Sequence, residues 1–225
     1  MEKIFSIAID GPAGAGKSTV AKAVAGEFGA MYLDTGAMYR AIGLYVLRQG
    51  KKPSSAADVV PLLPEIKEEL RFSDGEQHIF LNGEDVSALI RTEEVSMAAS
   101  DVSAIPEVRA FLLDRQRELA ETNDVIMDGR DIGTVVLPDA EVKIFMTAKP
   151  EIRAKRRFLQ LKEKGIEADM EAVLEELRQR DYNDSHRAAA PLKQAEDAIF
   201  IDNSDFSLQE DIENMKRIIL EAKCR

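Results

Sequence analysis

The sequence predicts an α/β fold: a five-stranded parallel sheet flanked by helices, interrupted by a small α+β insertion. Five short apolar runs alternate with helical stretches along 225 residues, the order that builds parallel sheets. Two hairpin signals sit together in one segment. Three of the apolar runs end in an aspartate followed by a glycine-containing polar loop. In parallel sheets ligands bind beyond the carboxyl ends of the strands, so these loops are where a site is expected.

Each element has a local reason. Ile4-Phe5-Ser6-Ile7-Ala8-Ile9-Asp10 is mostly apolar and reads as a strand buried on both faces. Residues 17–28 carry alanine and valine at helical spacing and stop before Gly29, a C-cap. Met31-Tyr32-Leu33-Asp34 is a second strand, and a helix over 37–48 follows. Between residues 61 and 96 the pattern changes: Asp74-Gly75 and Asn82-Gly83 are hairpin turns flanked by β-formers. Residues 107–121 return to helix. Val125-Ile126-Met127-Asp128, Val142-Lys143-Ile144-Phe145-Met146 and Ala198-Ile199-Phe200-Ile201-Asp202 supply three more strands. Pro150 opens a helix. Ser207 and Glu210 form a capping box, and Leu208, Ile212, Met215 and Ile219 make one apolar face that docks on the sheet.

At about 150 residues per domain, one domain with an insertion fits the length as well as two small ones. Hydrophobic residues are 45% and charged residues 32%, which excludes a disordered chain and a membrane protein. No apolar run approaches the roughly 20 residues a membrane span needs. Met1-Glu2-Lys3-Ile4 enters a strand directly, with no signal-peptide pattern. A lone Cys224 forbids an internal disulfide and offers no metal cluster. These features predict a cytoplasmic protein, and the lack of a coiled-coil pattern predicts a monomer. Thirty Lys and Arg against 41 Asp and Glu give a net charge of −11. That argues against nucleic acid or an anionic membrane as partner, but not against a small anion.

The strongest motif is Gly11-Pro12-Ala13-Gly14-Ala15-Gly16-Lys17-Ser18, followed by Thr19. It matches G-x-x-x-x-G-K-[ST], a chance match roughly once in a hundred chains of this length. A strand precedes it and a helix follows, the context of a phosphate-binding P-loop. Glycines let successive N–H groups turn toward one anion, and the helix N-terminus adds partial positive charge. Lys17 then reaches the β- and γ-phosphates, and the Ser18 hydroxyl holds Mg²⁺. Asp34 or Asp128 could reach the metal through water.

A P-loop names the donor, not the acceptor. Arg153, Arg156 and Arg157 fall on one helix face, as do Arg180, Asp184 and Arg187 if that stretch is helical. Clustered cations repel unless an anion or neighbouring glutamates such as Glu151, Glu163 or Glu175 sit against them. A phosphate monoester acceptor is already a nucleophile and needs no base. Neutralising two polyanions is the task, and arginine suits it. His78 and His186 are accordingly assigned to surface or packing roles.

Four stretches together resemble the bacterial-type cytidylate kinases, a family of P-loop nucleoside monophosphate kinases. They are residues 11–19, Leu33-Asp34-Thr35-Gly36-Ala37-Met38-Tyr39-Arg40, Asp128-Gly129-Arg130-Asp131-Ile132-Gly133-Thr134 and Arg180-Asp181-Tyr182-Asn183-Asp184-Ser185-His186-Arg187. The resemblance covers nearly the whole chain. It implies a P-loop NTPase core over 1–59 and 97–225, an inserted monophosphate-binding subdomain over 60–96, and a helical lid at about 150–166. It implies transfer of the γ-phosphate of ATP to CMP and dCMP, with Mg²⁺. Arg130 and Arg187 would contact the CMP phosphate, with Arg40 nearby. Arg180 and Asp184 would hold the ribose. Ser100, Arg109 and Asp131 would read cytosine, with Thr35 and Tyr39 lining the pocket. Arg153 and Arg157 would meet the donor phosphates.

Three other functions compete. A kinase with the same core could act on a different monophosphate or on a hydroxyl acid. A GTP-dependent switch would carry an Asn-Lys-x-Asp stretch, and none is present. A non-catalytic nucleotide-binding domain would bind ATP without an acceptor.

Overall fold

The computed structural model describes residues 4–73 and 76–224. The expectations placed on Met1 to Lys3 and on the Asp74-Gly75 turn lie outside the described residues. The main sheet has five parallel strands in the order β2 (Met31–Asp34), β6 (Val125–Gly129), β1 (Ser6–Asp10), β7 (Val142–Thr147), β8 (Ile199–Asp202). Central β1 is sealed on both faces, as its apolar run predicts. Ile7 and Ile9 face one core with Val20, Val24, Met215 and Ile219. Ala8 faces the other with Leu33, Met127 and Ile132. That alternation is the strand period of two.

Pairing register sets the site. Asp10 pairs with Gly129, and Asp34 lies opposite Asp128, so three strands end level at one edge of the sheet. Helix α1 (Lys17–Phe28) starts just beyond β1 and ends at Gly29, whose φ of 65° is the expected left-handed C-cap. Helix α2 (Thr35–Arg48) starts two residues earlier than the sequence reading. Its N-cap is Asp34, which accepts from the Ala37 N–H.

After the short helix α3 (Ala56–Val59), strands β3 (Glu68–Ser73), β4 (Glu76–Leu81) and β5 (Glu84–Asp85) form a separate antiparallel sheet. Ile79 and Leu81 pack it onto Met38, Ile42 and Val46 of α2. Each such burial contributes on the order of 2 kcal/mol. Helix α4 (Glu93–Ser103), capped by Thr92, lies along α2 and was not legible beforehand.

Helices α5 (Pro106–Thr122) and α6 (Pro150–Glu163) both open on proline, tolerated in a first turn. Helix α7 (Met170–His186) is capped by Asp169, so the Arg180 stretch is helical and Arg187 follows its last residue. Helix α8 (Leu208–Lys223) has the capping box at Ser207 and Glu210. Its apolar face differs from the expected one. Met215, Ile218 and Ile219 are buried, whereas Leu208 is 51% exposed. Leu208 lies in the first turn and lines the cavity described below.

Candidate active site

The level strand ends open onto one cavity of about 1130 Å³. It is lined by the P-loop from Ala13 to Thr19 and by Thr35, Tyr39, Arg40, Ser100, Arg109, Asp128, Arg130, Asp131, Arg157, Arg180, Asp184 and Arg187. Of the residues expected at the site, Gly11, Pro12 and Arg153 lie outside that lining. Eleven Lys and Arg face seven Asp and Glu around the cavity, in a protein whose overall charge is −11. The local field is therefore opposite in sign to the whole molecule and suits polyanionic ligands.

The loop itself needs glycine. At Gly11 φ is 148°, and a Cβ there would stand 1.9 Å from the Met146 carbonyl oxygen, so the backbone of β7 passes where a side chain would be. Lys17 is 5% exposed, and its Nζ donates to the carbonyl oxygens of Gly11 and Pro12 at 2.7 and 2.8 Å. Burial and the nearby Arg130 guanidinium push its pKa down to about 7. Ser18 Oγ donates to Asp128 Oδ2 at 2.6 Å, and Tyr32 donates to Asp128 Oδ1 at 3.0 Å. Burial, and then Asp34, raise the Asp128 carboxyl.

The two aspartates named for the metal have different partners. Asp34 is committed to Arg40 at 2.7 Å and Arg91 at 3.2 Å, which hold its carboxyl low against its burial. Asp128 is the carboxylate beside Ser18. Among the described residues no cluster of three His, Cys, Asp or Glu could hold a metal by itself. One hydroxyl and one carboxylate, completed by phosphate oxygens and water, is a donor set that Mg²⁺ accepts.

On the far side of the cavity, Arg130 Nε donates to Asp184 at 2.7 Å. Asp131 accepts from Arg109 and, at 3.4 Å, from Arg187. Arg187 also donates to Ser103 Oγ at 3.0 Å. Burial and then neighbouring guanidinium groups, Arg130 and Arg109 respectively, lower Arg180 and Arg187. Arg40 Nε, Arg180 Nε and Ser100 Oγ are buried without a hydrogen-bond partner. Such groups cost free energy unless something satisfies them, and all three belong to the expected acceptor set.

Arg153, expected on the donor phosphates, is engaged by protein groups in this structure. It is 3% exposed and donates to the carbonyl oxygens of Ala13 and Ala148 and to Asp181. Two of these three partners, Asp181 and Ala13, lie 28 and 140 positions away, so helix-face spacing could not show them. Arg156 is bound to Asn203. Arg157 makes no hydrogen bond or ion pair among the described residues and lines the cavity. Glutamates also meet two of the arginines, Glu151 binding Arg178 and Glu176 binding Arg180. His78 lines the cavity and stands 3.5 Å from Asp85, while exposed His186 stacks on Tyr182.

Two contributors, Gln77 and Arg91, had no sequence signal, and a third, Asp10, had only its place at a strand end. Asp10 accepts from the Ile132 and Gly133 N–H groups, both at 2.7 Å, and so holds the turn that carries Arg130 and Asp131. Burial nevertheless raises it to about 6. Gln77 of β4 grips the Asp34 backbone, accepting from its N–H at 2.8 Å and donating to its carbonyl at 3.2 Å. Arg91 joins Asp34 from the segment after β5.

A P-loop at the end of a central strand, sharing one cavity with a cluster of partly buried arginines, defines a phosphotransferase of the P-loop class. Comparison with known proteins gives the family. The cytidylate kinase family model matches residues 7–221, and the chain belongs to that family. A cytidylate kinase of Caldicellulosiruptor bescii is 55% identical over 210 residues, covering 93% of this chain and 92% of that protein. One from Lactobacillus gasseri is 47% identical over 216 residues, covering 96% and 94%. A solved structure of an uncharacterized protein from Eubacterium ventriosum shares the fold, with a TM-score of 0.52 at 14% identity over 99% of this chain and 100% of that one.

Proposed function

We propose that this protein transfers the γ-phosphoryl group of ATP to the phosphate of CMP, giving CDP and ADP, and accepts dCMP as well. The observation that carries the reading is the set of unpartnered buried donors, Arg40 Nε, Arg180 Nε and Ser100 Oγ, across the cavity from the P-loop. Membership of the cytidylate kinase family supports it.

The chemistry follows from the residues. The P-loop N–H groups and Lys17 take the donor phosphates, and Lys17 leaves the Gly11 and Pro12 carbonyls to do so. Ser18 and, through water, Asp128 would hold Mg²⁺, which would supply neutralisation of charge on the donor phosphates. Arg130, Arg187 and Arg40 orient the acceptor phosphate. It needs no base, because its oxygen is already anionic. Charge spreads over the oxygens of the transferring group, where Arg157 and Arg130 meet it. Arg180 and Asp184 hold the ribose, and Thr35 and Tyr39 line the pocket. Ser100, Arg109 and Asp131 read the base, a carboxylate accepting from the amino group that uracil lacks. Arg153 supports the loop from beneath through Ala13.

Residues 60–96 act as the acceptor-side subdomain, latched to the core at Asp34 by Gln77, and α6 acts as the lid. The reading includes a cytoplasmic monomer working on free nucleotides, which its acidic balance favours over a nucleic-acid partner. ADP release measured with ATP, Mg²⁺ and CMP, dCMP, UMP or AMP tests it. CMP and dCMP should give the fastest turnover, and acceptor-independent ADP release with no stimulation by CMP would contradict it.

A further inference from the structure

Asn203, just after β8, is fully buried and joins three segments on the P-loop side of the cavity. Its Nδ2 donates to the Ala15 carbonyl oxygen at 3.0 Å and to Asp211 Oδ2, in the first turn of α8, at 2.8 Å. Its Oδ1 accepts from Arg156 Nη1 at 3.1 Å, and its backbone carbonyl accepts from Nη2 at 2.8 Å. Its own N–H donates to the Thr147 carbonyl at 2.8 Å. Both amide protons and both oxygens are therefore engaged.

The Ala15 contact has a consequence for the phosphate loop. A trans peptide is planar, with the C=O of one residue and the N–H of the next pointing in opposite directions. Drawing the Ala15 carbonyl back onto Asn203 therefore aims the Gly16 N–H the other way. Gly14 and Gly16 both have positive φ, 74° and 89°, so this stretch has little intrinsic preference for one orientation. The same side chain fixes the planar fork of Arg156, which lines the cavity from the lid helix.

We propose that Asn203 is a positioning residue for the donor nucleotide, setting the Ala15–Gly16 peptide plane and the Arg156 guanidinium as one preformed surface. It touches no reacting atom. Among the described residues no hydrogen bond ties it to the acceptor side, where Arg130 is held by Asp184, Asp131 by Arg109 and Arg187, and Arg187 also by Ser103. The inference rests on the reading of the P-loop as the ATP site.

The test measures KM for ATP and for CMP separately in the wild type, Asn203→Ala and Asn203→Asp, with melting temperatures alongside. Asn203→Asp keeps the shape and the acceptor for Arg156 but loses both donors. Its carboxylate faces Asp211 and the Ala15 carbonyl, so it is made together with Asp211→Asn, which removes the like-charge contact and gives a second variant should Asn203→Ala fail to fold. A supporting-partner substitution typically costs about 10- to 100-fold. Each variant is expected to raise KM for ATP at least about tenfold while KM for CMP stays within about twofold. An unchanged KM for ATP, or an equal rise in both, overturns the proposal. A wild type that makes no CDP from ATP and CMP would instead overturn the reading of function, so the two failures are distinct.

Discussion

Ser18 Oγ and Asp128 Oδ2 meet at 2.6 Å across 110 positions of sequence. The contact ties the first residue after the P-loop lysine to the end of β6. Register brings it about, since β1 and β6 are neighbours whose last residues pair. Asp128→Asn keeps the shape and removes the charge. It should lower kcat by about 10²- to 10³-fold and raise the Mg²⁺ needed for half-maximal rate about tenfold or more. A Mg²⁺ titration at saturating ATP and CMP reads both, and an unchanged titration would remove Asp128 from the metal site.

Lys17 predicts a proton taken up with the donor. Burial, and then Arg130, bring its pKa down to about 7, so at pH 8 it is mostly neutral in the free protein. A triphosphate against it favours the charged form. Binding of a non-hydrolysable ATP analogue at pH 8 should therefore absorb close to one proton. Calorimetry in buffers of different ionisation enthalpy measures this. Lys17→Met should abolish both the uptake and turnover while the chain stays folded, and uptake that persists in the variant would assign it to another group.

Base selection should follow Asp131. Its carboxylate is oriented by Arg109 and Arg187. A site built to bond a substrate amino group rejects the analogue lacking it. Asp131→Ala should narrow the kcat/KM preference for CMP over UMP at least about tenfold. An unchanged ratio would place base reading elsewhere.

Glu68, on β3 of the small sheet, predicts a stability effect with a defined pH window. Both its carboxylate oxygens are buried without a hydrogen-bond partner. Burial pushes its pKa up to about 8, with Arg115 opposing. The folded value lies above the unfolded one of about 4.3, so the native state keeps the proton longer. Stability from this group is full below the unfolded value and is lost as pH rises toward 8. Glu68→Gln should raise stability at pH 8 by on the order of 2 kcal/mol and change little near pH 4. Thermal melts at the two pH values check it, and equal shifts at both would contradict it.

What the sequence made legible was whatever is local. The P-loop, the strand-ending aspartates and the helix caps at Gly29 and Ser207 each declare themselves within a few residues. What it left hidden depends on partners far along the chain. Arg153 was expected on the donor phosphates, and its ties to Ala13 and Asp181 cannot be read from helix spacing. Asp10 stood out as a strand end, but its two acceptor bonds to the Ile132 and Gly133 N–H groups, which hold that turn, did not. That Arg40 and Arg91 occupy Asp34 while Ser18 meets Asp128 was hidden in the same way. Gln77 carries no motif, and its role exists only because β4 reaches back to the end of β2.

A crystal structure with CMP and a non-hydrolysable ATP analogue bound together tests the central claim most directly. The account predicts the donor triphosphate on the P-loop with Lys17 swung from the Gly11 and Pro12 carbonyls onto it. It also predicts the CMP phosphate within hydrogen-bond reach of Arg130 and Arg187. A CMP phosphate directed away from these arginines, or a triphosphate lying off the glycine loop, would contradict it.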